Sequence, residues 1–94
     1  MAIHSKQYLE HMNLITDAQR AIYELVNPTI GNKSFFVQNY LKNITLITNK
    51  NTKYKELLQL SKISSSKTDP KIKAEYLLDN NRLILDYISK NISP

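Results

Sequence analysis

The sequence predicts an all-α protein, built as an antiparallel up-down four-helix bundle. Apolar residues recur at helical spacings of three and four positions along most of the 94-residue chain. The chain has one Gly and three Pro, too few for the many turns of a β-sandwich or barrel. Its length suits a single domain, 1–94, and short connections make successive helices antiparallel neighbours.

The first predicted helix covers residues 5–26. Ser5 is a suitable N-cap, and Asn27 ends the helix because the residue before Pro28 avoids the α region. Residues 16–19 also fit a capping box, so two helices are the alternative. One helix is preferred because its apolar stripe is unbroken, with Tyr8, Met12, Ile15, Ile22 and Leu25, widened by Leu14, Ala18 and Ala21.

Two shorter helices are predicted at 34–48 and 52–64. The stripe of the second helix is Val37, Tyr40, Leu41, Ile44 and Ile47. Residues 43–48 are rich in β-branched side chains, so a strand is the alternative there. A lone strand has no partner in this chain, and helix is therefore preferred. The residues of the third helix that are expected to face the core are Tyr54, Leu57, Leu58 and Ile63.

The fourth predicted helix runs from 70 to 90. Asp69 as N-cap and Pro70 as first helical residue are a strong start signal. Asn80 and Asn81 suggest a kink near its middle. Its expected inward residues are Ala74, Leu77, Leu78, Ile84, Leu85 and Ile88. The order is long, short, short, long, so part of the apolar surface of the outer helices is expected to stay uncovered or to meet a partner.

Net charge is concentrated in the middle third of the chain. Residues 33–73 carry nine Lys against Glu56 and Asp69, a net charge of +7, whereas the segments on either side each sum to −1. Lys is a point charge that suits diffuse attraction to phosphates or lipid head groups rather than base reading. An anionic partner is therefore expected to contact Lys50, Lys53, Lys55, Lys62, Lys67, Lys71 and Lys73.

The same lysines also have a simpler explanation as a solvated surface. Lys, Asn and Ile are common together, as in proteins of low-GC bacteria, their phages or their plasmids. Composition bias explains their number but not their concentration in the middle of the chain. Both interpretations stay open at the level of sequence.

No pattern of catalytic or metal-binding residues stands out, and neither an enzyme nor a cofactor is expected. The absence of Cys excludes disulfides and thiolate metal sites and favours the cytoplasm. His4 and His11 are seven residues apart, about 10 Å along a helix, too far to bind one metal, and are expected on the surface. Glu10 adjoins His11, whereas a di-iron bundle needs Glu-x-x-His.

Nothing in the sequence resembles a membrane span or a secretory leader. The N-terminal residues lack an apolar region and a cleavage site, and apolar runs do not exceed three residues. A cytoplasmic protein, peripheral to the membrane, is expected. One aromatic residue, Tyr54, lies between two lysines, Lys53 and Lys55, where a base could stack.

Small size, positive charge, lack of Cys and helix order make the chain resemble the immunity proteins of pediocin-like bacteriocins. The resemblance covers residues 1–94 as a profile of length, charge and helix order. It implies a four-helix bundle without enzymatic activity that acts inside the cell near the membrane, on a bacteriocin-bound sugar transporter. It also implies that residues 50–90 carry specificity. Many members have a longer C-terminal tail than this chain, which ends at Pro94.

Two other classes of function remain alternatives. A phage- or plasmid-encoded accessory protein would bind nucleic acid non-specifically, with an affinity that falls steeply with salt. An inhibitor or adaptor of an acidic protein would associate quickly and in a salt-sensitive way. The expected partner is a protein at the membrane, with an anionic membrane surface as a further contact and nucleic acid less favoured.

Overall fold

The computed structural model describes residues 5–27, 35–49, 51–65, 67 and 69–92. They form five α-helices: α1 (Lys6–Val26), α2 (Phe35–Thr48), α3 (Thr52–Leu57), α4 (Leu60–Ser64) and α5 (Pro70–Asn91). No strand occurs within these ranges, which confirms the all-α prediction. Residues 43–48 belong to α2, so the strand alternative for them is wrong.

Helix α1 is a single helix, as the unbroken stripe predicted. The Ser5 hydroxyl accepts a hydrogen bond from the Tyr8 backbone N–H at 3.1 Å, so the predicted N-cap is confirmed. At the other end, the backbone N–H and side-chain amide of Asn27 both donate to the Tyr23 carbonyl, at 3.1 and 3.0 Å. The capping-box alternative at 16–19 is wrong, because these residues continue the helix.

The core forms around α1, which packs against both α2 and α5, while α3 packs on α2 and α4 on α5. Ala18 and Ala21 are fully buried on α1, and their small side chains allow neighbouring helices to approach closely. The largest buried apolar side chains around them come from α1, α2, α4, α5 and the connection between α3 and α4: Leu14, Tyr40, Ile44, Leu58, Ile63, Leu77 and Ile84. This core positions the surfaces described below.

Glu24 joins the end of α1 to the start of α2. Its two carboxylate oxygens accept hydrogen bonds from the backbone N–H groups of Phe36 and Val37, at 3.0 and 3.2 Å. The first N–H groups of a helix have no partner inside the helix, and its positive end favours an anion. Glu24 therefore has a structural role as a cap supplied by another helix.

The prediction of one helix over 52–64 is wrong, because the chain breaks at Gln59. This residue has φ 49° and ψ 46°, the left-handed conformation, and separates α3 from α4. In a continuous helix Leu58 and Ile63, five residues apart, would point about 140° away from each other. The break lets both become fully buried, while Leu57, predicted to face inward, is 57% exposed.

Helix α5 begins as predicted. Asp69 accepts a hydrogen bond from the Lys71 backbone N–H at 2.7 Å, and Pro70 is the first helical residue. The helix continues without a break through Asn80, which is buried and faces the core, and the kink expected at Asn80 and Asn81 stays a prediction. Leu78 and Leu85, predicted to face inward, are about half exposed, at 49% and 48%.

The exposure of Leu78 and Leu85 follows from the width of the buried stripe on α5. The two residues are seven positions apart and so share one face, beside the face of Leu77, Ile84 and Ile88 that meets the core.

None of the described helices combines the length and the apolar character needed to cross a bilayer.

Candidate functional site

The described lysines predicted to bind an anionic partner lie on α3, α4, the turn after α4 and the first turn of α5. Lys50 lies outside the described residues. Lys73 is half-buried, and the other five are exposed: Lys53, Lys55, Lys62, Lys67 and Lys71. Residues 51–73 hold these six lysines against two acids, Glu56 and Asp69, a net charge of +4. We call these six residues the lysine region.

The helices distribute the lysine region around the surface instead of gathering it on one face. Lys53 and Lys55 are two residues apart on α3, so they point about 160° away from each other, with the buried Tyr54 between them. Lys71 and Lys73 diverge in the same way at the start of α5. Because Tyr54 is only 3% exposed, the idea that a base stacks on it is wrong.

The lysine region has few internal counter-charges. The ion pairs between described residues are Asp79–Arg82 at 3.8 Å and Asp86–Lys90 at 3.2 Å, both exposed and both outside it. The Lys62 ammonium lies 5.6 Å above the centre of the Tyr76 ring, a cation–π contact between α4 and α5. Lys71 and Lys73 lie at the positive end of α5, where cations are disfavoured and anions attracted.

A groove between α2 and the α3–α4 segment, which we call the basic groove, has a volume of about 540 Å³. Lys42 and Lys55 line it, and none of its lining residues is an acid. The other polar residues along it are neutral: Gln38, Thr45, Ser61 and Ser64. Lys42 is exposed and was absent from the predicted site residues, because its contribution depends on α2 lying beside α4.

A larger cleft of about 670 Å³ lies on the other side of α2, and we call it the acidic cleft. Glu10 and Asp17 of α1 line it together with neutral and apolar residues, and no Lys or Arg is among them. Asp17 accepts a hydrogen bond from the Asn43 side-chain amide of α2 at 3.1 Å. Leu46 lines both the acidic cleft and the basic groove, so it forms the ridge between them.

The prediction that His11 lies on the surface is wrong, since it is only 1% exposed. Its ring lies nearly parallel to those of Tyr54 and Tyr87, with ring centres 5.8 and 5.7 Å away, and the two tyrosines stack on each other at 4.1 Å. All three rings line the acidic cleft. His4, the other histidine, lies outside the described residues.

One ring nitrogen of His11 has a hydrogen-bond partner, and the other has none among the described residues. Its Nδ1 lies 2.8 Å from the Gln7 carbonyl oxygen, and because a carbonyl only accepts, Nδ1 carries the hydrogen. The other ring nitrogen, Nε2, has no partner among the described residues. The buried Tyr54 hydroxyl likewise has none, while the Tyr87 hydroxyl accepts from the Asn51 amide at 3.4 Å.

Two buried tyrosines have raised pKa values. Burial raises the pKa of Tyr40 to about 12, with the Asn80 side chain lowering it in part and the Asp17 carboxylate raising it further. Neither the Tyr40 hydroxyl nor the Asn80 Nδ2 has a partner at hydrogen-bond geometry within the described ranges, so Asn80 acts as a nearby dipole. Burial also raises the pKa of Tyr54, with smaller effects from Tyr87 and Tyr40.

Within the described residues, no group of three or more His, Asp and Glu side chains is placed to hold a metal ion. Glu10 and Asp17 lie on one helix, two turns apart, and the nearest histidine, His11, stacks on tyrosine instead of facing a second carboxylate. The described residues therefore form two surfaces of opposite charge, the basic groove and the acidic cleft.

Sequence reasoning missed the acidic cleft, although one signal for it was present. His11 lies on the same helix face as Leu14 and Ala18, three and seven residues further on, which is the face that packs into the core. That position predicts burial more strongly than the polarity of the residue predicts exposure.

The chain matches no protein-family model, no curated protein and no solved structure at a significant level.

Proposed function

We propose that this chain is a non-enzymatic, cytoplasmic binding protein, of the kind that gives immunity to a pediocin-like bacteriocin at the inner face of the membrane. The proposal takes α3 and α4 together as the third arm of an antiparallel four-helix bundle. Its basis is the profile of a small, helical, cationic chain without cysteine. It places the partner contact on the basic groove and the lysine region.

The observation that carries the proposal is the basic groove. Two ammonium groups, from Lys42 and Lys55, line a hollow whose other polar residues offer hydroxyl and amide groups and no carboxylate. Ammonium groups and hydroxyls together suit phosphate or carboxylate oxygens. Lys53, Lys71 and Lys73 do not line the groove, but they have no ion pair to any described carboxylate and so add to the positive potential around it. The surface thus favours an anionic partner, such as lipid head groups around a membrane protein.

Expression of the full chain in a bacteriocin-sensitive strain tests the proposal. We expect survival against at least one peptide of a panel of pediocin-like bacteriocins. The double variant Lys42→Gln with Lys55→Gln is expected to lose protection, because each lysine near an anionic surface contributes about 1 kcal/mol of binding. The same loss is expected when the other lysines of the lysine region are changed together to Gln.

The matched control is Lys6→Gln with Arg20→Gln, which removes the same charge from exposed positions on α1. It is expected to keep protection. Unchanged sensitivity to every peptide would exclude the immunity function. Equal effects of the two double variants would show that net charge alone matters. Salt-dependent binding to duplex DNA, with no binding to phosphatidylglycerol vesicles, would instead support the nucleic-acid alternative.

A further inference from the structure

We propose that the acidic cleft binds a linear aliphatic polyamine, a chain of methylene groups that carries two or more ammonium groups. This site is separate from the basic groove and does not depend on the immunity function. The proposal rests on the charges that line the cleft, on two buried polar groups without partners, and on the size and shape of the cavity.

The charges in the cleft are all negative. Glu10 and Asp17 are half-buried in its wall, and no Lys or Arg is among the residues that line it. Glu10 has no ion pair to any described cation, and one Asp17 oxygen is engaged by Asn43 while the other makes no described hydrogen bond. Partly desolvated carboxylates attract a cation more strongly than exposed ones do.

The spacing of the carboxylates favours an elongated ligand. Glu10 and Asp17 are seven residues apart on α1, so their backbone positions are separated by two turns, about 10 Å. Leu14 lies between them along the helix, and Leu46 and Ile47 of α2 also line the cleft. The pattern of carboxylate, apolar wall and carboxylate complements an ammonium group, a methylene chain and a second ammonium group.

The unsatisfied polar atoms add to this complementarity. The rings of His11 and Tyr54, 1% and 3% exposed, both line the cleft. Neither Nε2 of His11 nor the Tyr54 hydroxyl has a hydrogen-bond partner among the described residues. Buried polar groups in proteins are nearly always satisfied, and the N–H groups of a polyamine would supply these two atoms with partners.

The volume of the cleft suits a small-molecule ligand. A volume of about 670 Å³ lies in the range of roughly 300–1,000 Å³ that is typical of small-molecule sites.

Calorimetric titration of the full chain with a series of probes tests the proposal. Spermidine, whose extended chain is comparable in length to the two-turn spacing of Glu10 and Asp17 along α1, is expected to bind about tenfold or more tighter than pentylamine, since a second charge-assisted contact is added. Pentanediol, which has no charge, is expected not to bind. A blocked peptide with two lysines tests whether peptide side chains, rather than a free polyamine, supply the ammonium groups.

Three variants locate the binding. Glu10→Gln and Asp17→Asn are each expected to weaken spermidine binding about tenfold, because each removes one charge partner while keeping a hydrogen-bond acceptor. Glu75→Gln removes the same charge from an exposed position on α5 and is expected to leave binding unchanged.

The proposal is overturned if spermidine does not bind, if it binds no tighter than pentylamine, or if Glu75→Gln weakens binding as much as Glu10→Gln does. Tighter binding of the two-lysine peptide than of spermidine would also overturn the assignment to a free polyamine. None of these outcomes bears on protection against bacteriocins, so the two proposals fail independently.

Discussion

The acidic cleft and the basic groove lie on opposite sides of the C-terminal half of α2, with Leu46 between them, and they differ in sign and in construction. The groove displays exposed lysines on short helices. The cleft is walled by residues of α1, α2, the α2–α3 connection, α3 and α5, and backed by stacked rings. A chain with net charge +5 can therefore still form a local surface of the opposite sign.

This difference in construction predicts different energetic roles. The side chains at the back of the cleft belong to the core, since His11 and Tyr54 are buried and in contact with each other. The lysines around the groove contact solvent and make few bonds within the protein. Changes at the cleft should therefore alter both stability and binding, whereas changes at the groove should alter binding alone.

The largest expected effect compares two adjacent residues of α3. Tyr54→Ala should lower the free energy of unfolding by about 3–4 kcal/mol, because it empties a buried aromatic site and removes the contacts with Tyr87 and His11. Lys53→Ala, at an exposed position, should change it by less than about 0.5 kcal/mol. Urea denaturation followed by circular dichroism measures both values.

Tyr54→Phe separates the ring from the hydroxyl. The ring stays in its stack, and a hydroxyl without a hydrogen-bond partner is removed, so stability should be unchanged or slightly increased. A loss as large as that of Tyr54→Ala would mean that the hydroxyl, and not the packed ring, stabilises this part of the protein. Equal losses for Tyr54→Ala and Lys53→Ala would contradict the contrast between core and surface residues on α3.

A smaller effect is expected from alkaline pH, through Tyr40 behind the cleft. Its pKa is about 12 in the folded protein against an ordinary value of 10.0. Below pH 10 the hydroxyl is neutral in both states, and as pH rises towards 12 the unfolded state loses its proton first. Stability should therefore fall over this window, by about 2–3 kcal/mol from this residue.

Unfolding measured at several pH values between 9 and 12 checks this expectation. Tyr40→Phe should flatten the pH dependence, although the raised pKa of Tyr54 leaves a contribution of the same sign. An identical pH dependence in the variant and the parent protein would show that Tyr40 ionises as easily in the folded state as in the unfolded one.

The sequence predicted best those features that depend on neighbours along the chain. Ser5, and Asp69 followed by Pro70, mark helix starts through contacts within three residues, and both were identified correctly. The acidic cleft could not be predicted in the same way, since the contact of Asp17 with Asn43 spans 26 residues and that of Asn51 with Tyr87 spans 36. Such pairs depend on how the helices pack.

The break between α3 and α4 depends both on local helix propensity and on how the helices pack. No glycine or proline marks residues 52–64, so local propensity favours a continuous helix, and the stripe of Tyr54 and Leu58 agrees with it. Burial of Ile63 as well as Leu58 requires the chain to change direction, and Gln59 adopts the left-handed conformation to allow it. Here packing outweighs a local cost of about 1 kcal/mol.

The smallest predicted effect tests this break directly. Gln59 is in the left-handed conformation, so Gln59→Gly removes the steric cost of the side chain in the folded state. Glycine also makes the unfolded chain more flexible, which offsets part of this gain. The free energy of unfolding should therefore rise by about 0.5 kcal/mol. The same change inside a helix, Gln19→Gly at an exposed position of α1, should lower stability by about 1 kcal/mol. Urea titrations measure both variants. A gain in stability for Gln59→Gly and a loss for Gln19→Gly would support two short helices separated at Gln59. Equal losses for the two variants would instead support one continuous helix over 52–64.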